Sequence, residues 1–86
     1  MRKKDITLQQ KIKNMICEID NERYSDMIIE NTDTLNSIGL DSLDIVELTL
    51  KIEKQFNISI PDKDVESFKD KTIADLTIYL SNYNLN

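Results

Sequence analysis

Residues 35–62 read LNSIGLDSLDIVELTLKIEKQFNISIPD, and the fold turns on the run that begins at Asp41. Asp41 is a strong N-cap, because its carboxylate can accept an orphan backbone N–H of the turn that follows. Gly39, two residues earlier, permits a tight chain entry. Advancing 100° per residue from Leu43, the side chains of Ile45, Leu48, Ile52 and Phe56 fall between about 140° and 220°, which is a core stripe. Leu43, Val46 and Leu50 fall on the far side, between about 300° and 360°, with Glu47 and Lys54 beside them. The spacing predicts a helix over 42–56 that is apolar on two sides. Burial from several directions accounts for the second side as well as an interface does at Val46. At Leu43 and Leu50, which share their face with charges, an exposed apolar patch is the better reading, and such a patch marks a protein-binding surface.

Outward from this helix, the same periodicity recurs twice. Leu8, Ile12, Met15, Ile16 and Ile19 lie within about a 100° arc, giving a helix over 7–20 capped by Thr7 or Asp5. No period is sustained from 21 to 40, so a long loop is expected there, pinned to the core by Tyr24, Met27, Ile28, Ile29, Leu35 and Ile38. A loop this long in a small domain is often functional. Pro61-Asp62 reads as the start of a short third helix, with Val65 and Phe68 as its apolar contacts. Thr72 and Asp75 have the spacing of a capping box, and Ile73, Leu76, Leu80 and Tyr83 form the stripe of a last helix. The fold class is therefore all-α: a bundle of three longer helices and one short third helix, with a long loop between the first and second. One domain spanning 1–86 is expected, frayed at 1–5 and 84–86.

Composition narrows the function. The chain has 86 residues, 40% apolar and 31% charged, with a formal net charge of −5. Length allows one modest core, and the balance is that of a globular domain. A basic nucleic-acid binder is excluded, because phosphate binding needs a positive surface; an acidic one suits basic partner proteins. There is no His, one Cys and one Gly. These counts remove a Ser-His-Asp triad, imidazole or Cys-rich metal sites, an internal disulfide and Gly-rich phosphate loops. No apolar run approaches ~18 residues, so no membrane span is expected, and the basic start is followed by no apolar signal region. A cytoplasmic monomer is the expectation.

Ser42 is the first helical residue after the Asp41 cap. Free N–H groups and the positive end of the helix dipole meet there, a favourable place for a phosphate. One Ser at a helix start is by itself ordinary. The wider run is not: Gly39, Asp41-Ser42-Leu43, Asp44, Val46-Glu47-Leu48, Glu53, Phe56, Ile58 and Ile60-Pro61-Asp62 resemble, residue for residue and at the same spacing, the core motif of the acyl carrier proteins. The layout of the whole chain is similar too. The resemblance implies that Ser42, between Asp41 and Leu43, carries 4′-phosphopantetheine through a phosphodiester installed by a phosphopantetheinyl transferase. The thiol of that arm would hold acyl groups as thioesters, and the protein itself would perform no chemistry. Acyl synthase, transferase or ligase enzymes with basic patches would dock on Leu43, Asp44, Val46, Glu47 and Leu50. Ile52, Ile60, Val65, Phe68 and Leu76 would line an acyl pocket while also serving as core.

The chain departs from the family pattern at Lys51 and Lys54, which interrupt a usually more acidic second helix. It departs again at the bulky Phe68 and at Lys69-Asp70-Lys71, which looks like a short insertion. The pathway stays open between fatty acid, polyketide and related chemistry. The Gly-Gly-x-Ser pattern of peptidyl carriers is not matched by Gly39-Leu40-Asp41-Ser42.

Other constellations carry less. With Gly39 at position six of a calcium loop, position one is Thr34 and position twelve Ile45, and neither serves as a ligand, so no metal site is expected. Cys17 lies about 180° from the first helix's stripe and is expected to be a silent surface thiol, with Lys13 its nearest cation. The basic Arg2-Lys3-Lys4 reads as a solvated end. The alternative to a carrier is a small acidic helical interaction module, with Ser42 unmodified or phosphorylated.

Overall fold

The computed structural model describes residues 7–83, so Asp5, the basic start and the tail at 84–86 lie outside the described residues. Five α-helices follow in order: α1 (Leu8–Ile19), α2 (Asn21–Tyr24), α3 (Ser42–Phe56), α4 (Asp62–Glu66) and α5 (Ile73–Ser81), with a 3-10 turn at Phe68–Asp70 between the last two. The all-α class holds, and α1, α3 and α5 are the three longer helices. Thr7 caps α1, its side chain accepting from Gln10 N. Ile12, Met15 and Ile16 of α1 meet Ile45, Leu48 and Ile52 of α3 and Ile73, Leu76 and Leu80 of α5 in one core.

The loop expected over 21–40 begins with a helical turn instead. Asp20 closes α1 and opens α2, its carboxylate accepting from Arg23 N at 3.3 Å. A single turn has no apolar period, so only the cap could have revealed it. This turn folds Tyr24 into the core and over one side of α1, which corrects the reading of Cys17. The thiol is half-buried, packed against the core, and Sγ donates to the Tyr24 carbonyl at 3.6 Å. Met27 and Ile28 are exposed rather than pinned; Ile29, Leu35, Ile38 and Leu40 are the loop's buried anchors.

The loop is stitched to the start of α5. Thr34 bridges Thr72, Leu35 N donates to Lys71 O at 3.1 Å and Asn36 N to Lys69 O at 2.9 Å. Residues 69–71 are thus part of the frame that holds the loop. At the other end of α3, Asn57 is left-handed (φ 57°) and Ile58 N donates to Glu53 O. The Glu53 carboxylate accepts from Ile60 N at 2.7 Å, turning the chain toward Pro61 and α4. Helix α5 stops at Ser81, so Tyr83 lies beyond the helix whose stripe it was expected to complete; its hydroxyl lies 3.1 Å from the Ser59 carbonyl.

Candidate functional site

Two helices begin with the same device and end up different. At α5, Asp75 N donates to Thr72 Oγ1 and Thr72 N to Asp75 Oδ2. The two N–H groups in between are also used, Ile73 N on Asp33 O at 3.1 Å and Ala74 N on Asn31 O at 3.0 Å. At α3, Asp44 N donates to Asp41 Oδ1 at 2.8 Å and Asp41 N to Asp44 Oδ2 at 3.2 Å. Here no loop carbonyl arrives. Among the described residues, the N–H groups of Ser42 and Leu43 have no protein partner. Ser42 is exposed, at the positive end of a 15-residue helix whose first two amides are unspent. The Asp41–Asp44 reciprocity was not read from the sequence, although the spacing that identified Thr72 and Asp75 is present there too.

The approach to Ser42 is clamped by α2. Gly39 sits at φ +100°, a conformation that side chains rarely adopt. Arg23 Nη1 donates to the Gly39 carbonyl at 3.0 Å and to Tyr24 Oη at 3.3 Å; Tyr24 Oη donates to the buried Ile38 carbonyl at 3.1 Å. The bond to Tyr24, above all, raises the Arg23 pKa beyond its ordinary value, and the carboxylates of Asp20 and Asp44 add to it. Three residues before the serine, the backbone is therefore held from one side by a fixed cation and a phenol.

A cavity of about 360 Å³ opens beside Ser42, between α3 and α4. Leu40, Ile45, Val46 and Val65 give it apolar walls, and Asn36, Asp41, Ser42, Glu66 and Lys69 give it a polar mouth. The volume is in the range of small-molecule sites. Of the five residues expected to line an acyl pocket, Val65 lines this cavity, whereas Ile52, Ile60, Phe68 and Leu76 are buried in the core cluster against which Val65 packs. Leu40 and Asn36 carry no expectation from the sequence, which marks Ile45 as core alone; their place in the cavity depends on how the loop crosses α3, which no local pattern encodes.

The far side of α3 is open. Leu43 is 78% exposed, Leu50 59% and Val46 48%, with exposed Glu47 and half-buried Asp44 alongside. Lys51 is turned away from this patch and pairs with Glu18 of α1 at 3.4 Å, while Lys54 is exposed in the last turn. Leu43, Val46, Glu47 and Leu50 thus share one exposed side of α3, with Asp41, Ser42 and Asp44 at its start.

A family model described as a phosphopantetheine attachment site matches residues 10–80. An acyl carrier protein of Lactobacillus acidophilus is 38% identical over 73 residues, covering 85% of this chain and 88% of the relative. One of Buchnera aphidicola is 39% identical over 77 residues, covering 90% and 94%, and one of Clostridium perfringens is 34% identical over 73 residues, covering 85% and 92%. The chain belongs to the acyl carrier protein family. It is a carrier and not an enzyme, and its cofactor is covalent 4′-phosphopantetheine. Membership implies dealings with a phosphopantetheinyl transferase and with acyl-handling enzymes. No helix among the described residues is long and apolar enough to cross a membrane.

Proposed function

We propose that residues 1–86 form one acyl carrier domain that bears 4′-phosphopantetheine on Ser42 and presents acyl intermediates to biosynthetic enzymes. The observation that carries this reading is the exposed Ser42 hydroxyl at an α3 start whose first two amides are unspent, at the mouth of the 360 Å³ cavity. The residues present fit the group. The Ser42 hydroxyl is free for the phosphodiester, and Asp41 and Leu43 flank it. Among the described residues, Lys69 is the one cation lining the cavity, and it can offset the phosphate's charge against Asp41 and Glu66. When bound, the arm supplies a thiol on which an acyl group is held as a thioester. The apolar walls of Leu40, Ile45, Val46 and Val65 would shelter the start of an acyl chain. Ile52, Ile60, Phe68 and Leu76 lie in the core cluster behind Val65 and would repack around a longer one.

The partners meet the protein along α3. Leu43, Val46 and Leu50 supply contact area, and Asp41, Asp44 and Glu47 draw in a basic surface, an attraction that salt screens. The protein acts as a cytoplasmic monomer in this reading. The test is intact mass after incubation with coenzyme A, magnesium and a promiscuous phosphopantetheinyl transferase. Wild type gains one phosphopantetheine and Ser42→Ala none, with stability changed by no more than about 0.5 kcal/mol. Labelling that persists in Ser42→Ala would sink the assignment.

A further inference from the structure

Helix α4 is the lightly held wall of the cavity. It has five residues, no side-chain cap at its start and no fully buried side chain, yet its Val65 and Glu66 line the space beside Ser42. A helix this short takes its position from tertiary contacts. One contact is apolar, Val65 against the core. A second is polar and directional: Tyr79 Oη on α5 donates to Asp64 Oδ2 at 2.7 Å, the length of a charge-assisted hydrogen bond.

The phenol is well placed for this. Its ring meets Phe68 edge to face at 5.4 Å and Tyr83 at 5.5 Å. Burial, with the bonds to Tyr83 and Asp64, raises the Tyr79 pKa far above a phenol's ordinary value, so the hydroxyl keeps its proton. Tyr83 Oη lies 3.0 Å from Tyr79 Oη and within reach of the Ser59 carbonyl. Two phenols own two protons for three contacts. The carboxylate is the strongest acceptor and takes that of Tyr79; the proton of Tyr83 is left to Tyr79 Oη or Ser59 O. The chain of hydroxyls braces α5 against both α4 and the connection that precedes it.

We propose that the Tyr79–Asp64 hydrogen bond is a latch on the α4 wall that sets how large an acyl group the cavity admits. A short group fits with the latch closed, and a longer one must part Asp64 from Tyr79. The inference rests on the reading that acyl cargo enters between α3 and α4.

Two variants test it. Tyr79→Phe removes the donor and keeps the ring contacts; Asp64→Ala removes the acceptor from the outer side and serves if the first fails to fold. In the phosphopantetheinylated protein without cargo, amide exchange by NMR at Val65 and Ser67 should be about tenfold faster in each variant, the loss of a hydrogen bond to a charged group, with Leu48 and Ile52 changed less than twofold. Butyryl, octanoyl and dodecanoyl forms are then melted. Stabilisation by cargo should keep rising to chains roughly two or more carbons longer in the variants than in wild type. Unchanged α4 exchange would overturn the latch. Faster exchange with the same limiting chain length would overturn its link to cargo. Faster exchange with no stabilisation by any chain, wild type included, would instead place cargo outside the cavity and remove the reading on which the latch depends.

Discussion

Asp44 does two jobs that charge reversal would confuse, and separating them tests both. Its Oδ2 accepts from Asp41 N at 3.2 Å, and its charge lies in the first turn of α3. Asp44→Lys forfeits the hydrogen bond, about 1 kcal/mol. It also exchanges a favourable charge–dipole interaction for an unfavourable one, together about 1 kcal/mol at an exposed helix start. The sum of about 2 kcal/mol corresponds to a fall in Tm of roughly 8–16 °C in a domain of this size. Asp44→Asn keeps an acceptor and drops the charge, so it should lose only about 0.5 kcal/mol, and exposed Glu47→Lys should stay within about 0.5 kcal/mol of wild type. Circular dichroism melts read this first part. Transferase rates on the variants that remain folded then read the electrostatics: Asp44→Asn and Glu47→Lys should both be modified more slowly at low ionic strength, with the defect shrinking as salt is added. An Asp44→Lys melt within about 2 °C of wild type would refute the capping argument. Wild-type modification of Glu47→Lys in low salt would refute α3 as the docking strip.

Tyr24→Phe leaves a ring in place but strands the buried Ile38 carbonyl and takes one acceptor from Arg23, which keeps its bond to the Gly39 carbonyl, so thermal melts should show a loss of about 1–3 kcal/mol. Lys69→Gln should reduce the gain in Tm on adding the phosphopantetheine arm at low salt, while the unmodified proteins melt alike; equal gains would remove Lys69 from the site.

The parts legible in the sequence are those in which neighbours along the chain decide the outcome. The stripe of Ile45, Leu48 and Ile52, the Asp41 cap, and the Thr72–Asp75 box are fixed within one or two turns, and the structure places each as read. The exposure of Leu43 and Leu50 was also readable, since the charged Glu47 cannot share their face with a core, whereas Val46, on the edge of that face, fitted burial and exposure equally well. Helix α2 was missed because four residues carry no period, and with it went the half-burial of Cys17 and the clamp on Gly39. The cavity was missed for a different reason. It exists where Asn36 and Leu40 from the loop face Val65 and Lys69 from beyond α3, and that meeting depends on long-range stitching rather than local preference.

That stitching also orders events in time. The carbonyls of Asn31 and Asp33 and the amides of Leu35 and Asn36 find their partners only in residues 69–74. Ser81, the end of α5, is made 39 residues after Ser42. At ordinary rates of synthesis the ribosome needs about 2–8 s to cover that distance. During this interval the growing chain possesses the serine but not the frame that presents it. A transferase that recognises the folded strip on α3 would therefore pass over the unfinished chain and act only on protein whose last helix has been released and docked.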